Sequence, residues 1–223
     1  MACLLKGGPK SKIKVTAVSS RTHNSIDRLK AIMGNEQGQI CFTLDNVEAA
    51  RRGNCILIAT PDDQVKKVCS QIFDKIKLQK EKYVFYFSGS KPLEVVEPAR
   101  KAGAFIGCMH PIKSFASPSQ AAKTMAGTIF GLTFTEAEAG RVLKVLVEKL
   151  QGNYMEVKDS KKTLYHAACC VASNYLVALL DYSLSLVTSI GIEPGLATKA
   201  LLSLSAGTLD NIEKLGTKKA LTG

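Results

Sequence analysis

Short apolar runs alternate with amphipathic stretches from residue 13 to about residue 157, and the pattern then changes. Ile13–Ser19 (IKVTAVS) is rich in β-branched residues and predicts a strand, and Ser25–Met33 predicts a short helix ended by Gly34. Ile40–Leu44 predicts a strand and Asn46–Arg52 a helix stopped by Gly53. Cys55–Thr60 (CILIAT) is uninterrupted and apolar, as suits a parallel strand covered on both faces. Pro61, Asp62 and Asp63 open the next helix, whose Val65, Val68, Ile72 and Ile76 share one face. Tyr83–Phe87 predicts a strand, Ser88-Gly89-Ser90 a turn, and Leu93–Lys101 a helix that Gly103 ends. Ala104–Cys108 predicts a strand, with Met109–Phe115 (MHPIKSF) as the loop after it. A helix near Ser119–Met125, a strand Thr128–Phe134, an amphipathic helix Glu136–Leu150 and a strand Asn153–Val157 complete the series.

Strands that alternate with helices predict an α/β fold with a parallel, doubly wound sheet. After Lys158 the strands stop. Ser160 to about Ile190 predicts one long helix, roughly 45 Å if unbroken. Its apolar stripe is Leu164, Ala168, Val171, Tyr175, Leu179, Tyr182 and Leu186, and Gly191 ends it. Two further helices are predicted, Pro194–Ser205 and Thr208–Leu215. The expected domains are therefore 1–158, α/β, and 159–223, all-helical.

Composition narrows the class. A chain of 223 residues, 46% hydrophobic and 22% charged, has enough apolar surface for a sizeable core, which excludes disorder. Cys3, Cys41, Cys55, Cys69, Cys108, Cys169 and Cys170 form no C-x-x-C pair and read as small buried hydrophobes in a reducing compartment. No secretory signal is visible at Met1–Gly8. The run Ala167–Leu180, ended by Asp181, is shorter than the roughly 18–20 residues of a membrane span. The expectation is a soluble cytoplasmic protein with no membrane partner. The formal charge is +11, of which residues 1–30 contribute a net +6. Either an anion-binding surface or a solvated basic face would produce it, and bulk charge alone favours the second. Nucleic-acid binding would rest on charge alone, without interleaved aromatics or a reading helix. No G-x-S-x-G elbow or Walker loop is present. The Cys and His residues near 108–110 and 166–170 lack a recognised ligand spacing, so no metal is expected.

In a doubly wound sheet, ligands sit outside the carboxyl ends of the strands. Four segments fall there: Ser19–Thr22, Thr60–Asp63, Ser88–Ser90 and Met109–Phe115. A dinucleotide domain opens with G-x-G-x-x-G between its first strand and helix. No two of the 17 glycines are spaced i, i+2, so that loop is absent. Ile13–Thr22 has the character of the second strand of such a domain, and Ala2–Lys6 with Gly7-Gly8-Pro9 that of the end of its first helix. The sequence thus predicts a domain without its first strand and phosphate loop. Where NAD domains place an acid at the end of that second strand, this chain has Ser19-Ser20-Arg21-Thr22. A hydroxyl followed by Arg suits the 2′-phosphate of NADP, with Arg28 and Lys30 adding charge; the alternative is a capped turn with an exposed Arg. The cofactor candidates are Ser19, Ser20, Arg21, Thr60, Pro61, Asp62, Ser88, Gly89, His110 and Pro111.

ATPDDQV at 59–65, FSGS at 87–90, GCMHPIKSF at 107–115, KTLYHAACCVASNYLVA at 162–178 and GTLDNIEKLGTKKALTG at 207–223 follow in order. Together they resemble Rossmann-like proteins that carry a helical C-terminal domain of unknown function. That family is itself similar to pyrroline-5-carboxylate reductases and 6-phosphogluconate-dehydrogenase-like enzymes. The resemblance implies NADP binding, a small-molecule substrate, dimerisation through the C-terminal helices, and a chain shortened at both ends relative to the family. Related hydroxyacid dehydrogenases use a Lys with an Asn four residues later; here His166 stands four residues after Lys162. His166 is a candidate general acid, Lys162 a group to polarise a carbonyl or give a proton, and Asn174 a group to orient substrate. The alternative for His166 is a hydrogen-bonded core histidine. His110, Ser114 and Phe115 would either contact ligand or only pin their loop. The functional expectation is an NADP oxidoreductase-like protein that transfers hydride to a small carbonyl or imine. The alternative is a non-catalytic dinucleotide-binding or dimerisation module.

Overall fold

The computed structural model describes residues 13–33, 40–77, 81–115 and 117–221. The expected helix end at Ala2–Pro9 and the helix-ending Gly34 lie outside these residues. The chain forms two compact units that divide between His166 and Ala167, inside the first turns of the long helix.

The first unit opens with β1 (Ala17–Ser19), α1 (His23–Met33), β2 (Cys41–Thr43), α2 (Asn46–Arg51) and β3 (Cys55–Ile58). It continues with α3 (Val65–Phe73), β4 (Tyr83–Tyr86), a 3₁₀ turn Leu93–Val96 that runs into α4 (Glu97–Lys101), and β5 (Phe105–Pro111). Then come α5 (Pro118–Lys123), β6 (Ile129–Phe134), α6 (Ala137–Lys149) and β7 (Asn153–Glu156). Local chemistry sets several boundaries. The Asp45 carboxylate accepts from the Val47 amide at 2.7 Å and caps α2. Ser117 caps α5, where Pro118 takes the first helical position. Gly103, at φ +92°, makes the left-handed turn that separates α4 from β5.

Strands β3, β4 and β5 run parallel, as the alternating pattern predicts. Their side chains alternate between two cores. Ile56, Ile58, Val84, Tyr86, Ile106 and Cys108 pack with α2, α3 and the 3₁₀ turn on one face. Phe85 and Met109 pack with Phe130, Leu132, Leu143 and Val147 on the other. A strand apolar on both faces is what a sheet covered on both sides requires.

Three features differ from the sequence expectation. Strand β6 runs antiparallel to β5, and β7 follows β6 in parallel, so the doubly wound sheet has a reversed far edge. Met109, His110 and Pro111 are not loop: they extend β5 and pair with Leu132, Gly131 and Phe130. The antiparallel partner draws these residues into the ladder, and Pro111, which has no N–H, sits at its last position. The sheet is also divided. β1 and β2 form a parallel pair separate from the five-stranded order β3-β4-β5-β6-β7.

The long helix begins after a 3₁₀ turn at Asp159–Lys161 as α7 (Lys162–Cys170), loosens into a π-helical stretch Val171–Tyr175, and continues as α8 (Leu176–Ser189). The sequence gives no local mark of the π stretch. In the second unit α8 and α9 (Pro194–Leu215) pack together. The two predicted C-terminal helices are one: Gly207 is accommodated mid-helix, and a lone glycine there costs only about 1 kcal/mol. Glu193 caps α9 by accepting from the Gly195 and Leu196 amides at 2.7 Å each, and Gly216 at φ +77° ends it. Val171, Tyr175, Leu179, Tyr182 and Leu186 stand exposed on the single chain. By length and composition alone, Asp159–Ser189 is apolar enough to cross a bilayer; the shorter run assessed from sequence stopped at Asp181.

Candidate functional site

Strand β4 ends at Tyr86 and delivers the turn Phe87–Ser90 to the carboxyl edge of the sheet. Ser88 is buried there. Its hydroxyl donates to Asp62 Oδ2 at 2.5 Å and accepts from the Lys91 amide at 3.0 Å. Ser90 Oγ donates to the same carboxylate oxygen at 3.2 Å. Asp62, from the turn after β3, thus ties two loops together. The turn after β3 also holds Thr60, whose Oγ1 is buried without a hydrogen-bond partner among the described residues, and the exposed Pro61.

Lys162 enters from the start of α7 and is 2% exposed. Its Nζ donates to the Ser88 carbonyl at 3.0 Å and to the Tyr86 hydroxyl at 3.2 Å, and stands 4.8 Å from the Tyr86 ring centre. The Cys108 thiol donates to the same carbonyl at 3.0 Å. Burial pushes that thiol up to about 11, against the pull of Lys162, and burial likewise raises the Tyr86 phenol well above its ordinary value. Tyr86 donates in turn to the Lys91 carbonyl at 2.7 Å. Lys162 is therefore enclosed by the turn it holds, where the sequence reading had it face a substrate.

His110 and His166 meet over Gly89. Their ring centres are 6.1 Å apart at 74°. A Cβ at Gly89 would lie 2.7 Å from His166 Nδ1, 2.8 Å from His110 Cε1 and 2.9 Å from His110 Nε2. Only a residue without a side chain lets both imidazoles close on this peptide. Burial first, then the charges of His166 and Lys162, lower His110 to about 4, with Asp62 opposing. His110 Nδ1 lies 2.7 Å from the Tyr165 hydroxyl, with the rings edge to face at 89°.

The structure brings together Lys162, His166, His110, Ser88, Gly89 and Asp62. Pro111 adjoins this group at the end of β5. Asn174 lies in the second unit, exposed within the π stretch. Ser19, Ser20 and Arg21 lie at the end of β1 in the two-stranded sheet. The Ser19 hydroxyl donates to Asn46 Oδ1 at 2.8 Å, so it is committed to α2; Ser20 is half-buried and Arg21 exposed. Ser114 and Phe115 are exposed beyond β5. Sequence reasoning missed Tyr165, Tyr86 and Gly131. Tyr165 carried a legible signal, because Lys162, Tyr165 and His166 at i, i+3, i+4 share one helix face.

Residues 128–223 match the domain of unknown function DUF2520. Protein TM1727 from Thermotoga maritima is 25% identical, with a TM-score of 0.70 over 92% of this chain and 73% of that one. A pyrroline-5-carboxylate reductase from Coxiella burnetii is 16% identical, with a TM-score of 0.63 over 89% of this chain and 69% of that one. An NADH-preferring ketol-acid reductoisomerase from an uncultured archaeon is 18% identical, with a TM-score of 0.71 over 98% of this chain and 66% of that one. No curated protein matches. The fold is Rossmann-like α/β followed by a helical C-terminal part, as the sequence motifs imply.

Proposed function

We propose that the protein is an NADP-dependent oxidoreductase that reduces a small carbonyl or imine. The observation that carries this reading is the meeting of His110 and His166 over Gly89, at the carboxyl ends of β4 and β5. That edge is where open α/β sheets bind ligands.

The donor set fits the two ends of such a cofactor. Ser20 and Arg21 offer a hydroxyl and a planar fork to a 2′-phosphate, and no acid stands there to favour a 2′-hydroxyl. Thr60 Oγ1, the Ser88–Gly89 turn and His110 would hold the nicotinamide end. No glycine pair at i, i+2 supplies a pyrophosphate cradle within this sequence. When bound, the cofactor supplies the hydride.

The residues divide the remaining work. A carbonyl that gains hydride needs its oxygen polarised and then protonated. His110, held neutral at pH 7 by burial, donates a hydrogen bond to that oxygen without giving up its proton. His166 serves as the general acid. Lys162 holds the Ser88–Ser90 turn in place through the Ser88 carbonyl, a positioning role. We further propose that the exposed apolar stripe Val171–Leu186 seats a second copy of the chain, since soluble monomers rarely leave so large a patch uncovered.

Calorimetric titration with NADPH and NADH tests cofactor choice. Arg21→Glu should weaken NADPH by at least about tenfold and leave NADH unchanged. NADPH oxidation is then followed on a carbonyl and imine panel. Turnover that falls in His110→Ala and His166→Ala supports the assignment. Binding of neither dinucleotide, or turnover indifferent to both substitutions, overturns it.

A further inference from the structure

His110 presents two ring nitrogens, and the role proposed above needs its proton on Nε2. We infer that Tyr165 is the positioning residue that fixes this tautomer, and that Gly131 is the seat that admits its hydroxyl. The inference rests on the oxidoreductase reading for its purpose, while the tautomer itself is a property of the chain.

The geometry is local to the sheet unit. His110 and Gly131 are direct partners across the antiparallel β5–β6 ladder. Neighbouring positions on one face of such a pair are close enough for side chains to collide. A Cβ on Gly131 would fall on the Tyr165 hydroxyl oxygen. The missing side chain thus opens a slot beside His110, and Tyr165, arriving from α7, fills it. Its hydroxyl ends 2.7 Å from Nδ1, and the edge-to-face rings restrain the imidazole's rotation.

The direction of that bond follows from acid strength. A phenol O–H is a better donor than a neutral imidazole N–H, and an imidazole nitrogen is a better acceptor than a phenol oxygen. Burial keeps His110 neutral near pH 7, so one nitrogen carries the proton and the other accepts. Tyr165 O–H therefore donates to Nδ1, and the ring proton resides on Nε2. Nε2 is the nitrogen that faces Gly89, 2.9 Å from where a Cβ there would sit. The same logic, one group holding an imidazole in a working tautomer for another, operates in hydrolytic triads. Here a tyrosine takes the orienting place. Proton count is unchanged, because Tyr165 keeps its proton in the bond and gives none up.

Nitrogen-15 NMR of histidine-labelled full chain reads the tautomer directly, with only His23, His110 and His166 to assign. At pH 7, wild-type His110 should show a protonated Nε2 and a bare Nδ1. Tyr165→Phe should convert it to a mixture, and Gly131→Ala, which displaces the hydroxyl without altering Tyr165, should do the same. In turnover, both variants should lose about tenfold in kcat with KM nearly unchanged. A wild-type Nδ1–H tautomer, or the Nε2–H form persisting undiminished in both variants, overturns the inference. If the tautomers respond as stated while no carbonyl or imine is reduced, the inference stands and the oxidoreductase reading falls.

Discussion

Gly89→Ala is the sharpest single perturbation the structure offers. Gly89 does not have a positive φ, so alanine can take its backbone without strain, and the effect is purely steric. The new methyl would stand 2.7–2.9 Å from three imidazole atoms. Ordinary carbon contacts lie near 3.5–4.0 Å, so one or both rings must retreat by roughly 0.6–1.3 Å. Overpacking of this kind costs about 1–3 kcal/mol. A displacement of about 1 Å in a reacting group removes about a hundredfold of rate. Urea denaturation should therefore show a loss of about 1–3 kcal/mol, and turnover should fall about a hundredfold, with NADPH binding weakened as well because His110 is displaced from the nicotinamide end. Gly103→Ala is the contrasting control, because its φ of +92° strains alanine although nothing lies within 4 Å. It should lose stability without losing turnover. The double variant Gly89→Ala with His166→Ala should recover part of the stability, since the 2.7 Å contact disappears. A Gly89→Ala protein as stable and as active as wild type would refute the packing of both histidines on this peptide.

Lys162→Met removes one donor from the Ser88 carbonyl and one from Tyr86. The Cys108 thiol still serves that carbonyl, so the loss in urea denaturation should be about 1–2 kcal/mol; an unchanged midpoint would show that Nζ holds nothing. His110 makes stability pH-dependent. Its folded value near 4 lies below its ordinary 6.5, so the unfolded chain binds more protons between them. Its contribution is intact above about 6.5 and lost as pH falls toward 4, and His110→Gln should flatten that part of the stability profile. Glu138, held near 2 chiefly by Arg141, adds its own loss lower, between 4.5 and 2, which His110→Gln should leave untouched. Sedimentation should show a dimer that Leu179→Lys with Tyr182→Glu converts to monomer, both positions being exposed on the single chain. A wild-type monomer, or a chain that partitions onto neutral lipid vesicles, would remove the homodimer.

Much of the sheet domain could be read from periodicity. CILIAT and YVFYF are apolar on both faces because both faces are covered, and each forms a strand where expected. What escaped depends on partners distant in sequence. His-Pro reads as a loop until Phe130-Gly131-Leu132 arrives to pair with it. The reversal of β6 has no local signature, since a parallel and an antiparallel strand share one apolar pattern. Helix α9 runs through Ala206-Gly207 because the cost of one glycine is small beside its packing on α8. At the site, Lys162 and His166 were legible as neighbours at i, i+4, but their division of labour was not. The enclosure of Lys162 depends on Tyr86, Ser88 and Cys108, each more than 50 residues away. Ser19 was legible as a polar strand end, while its commitment to Asn46 was not.

The pairing of His110 with Gly131 has a consequence for how such a sequence can drift. A glycine is usually free to gain a methyl wherever φ is negative, but this one holds the volume that a tyrosine 34 positions later occupies. The two sites are bound to change together. A lineage that acquires alanine or larger at the position of Gly131 should already have lost the hydroxyl at the position of Tyr165, and one that keeps both glycine and tyrosine should also keep the histidine. Across relatives, the order of substitutions at these three columns would record which side chain the slot was kept open for.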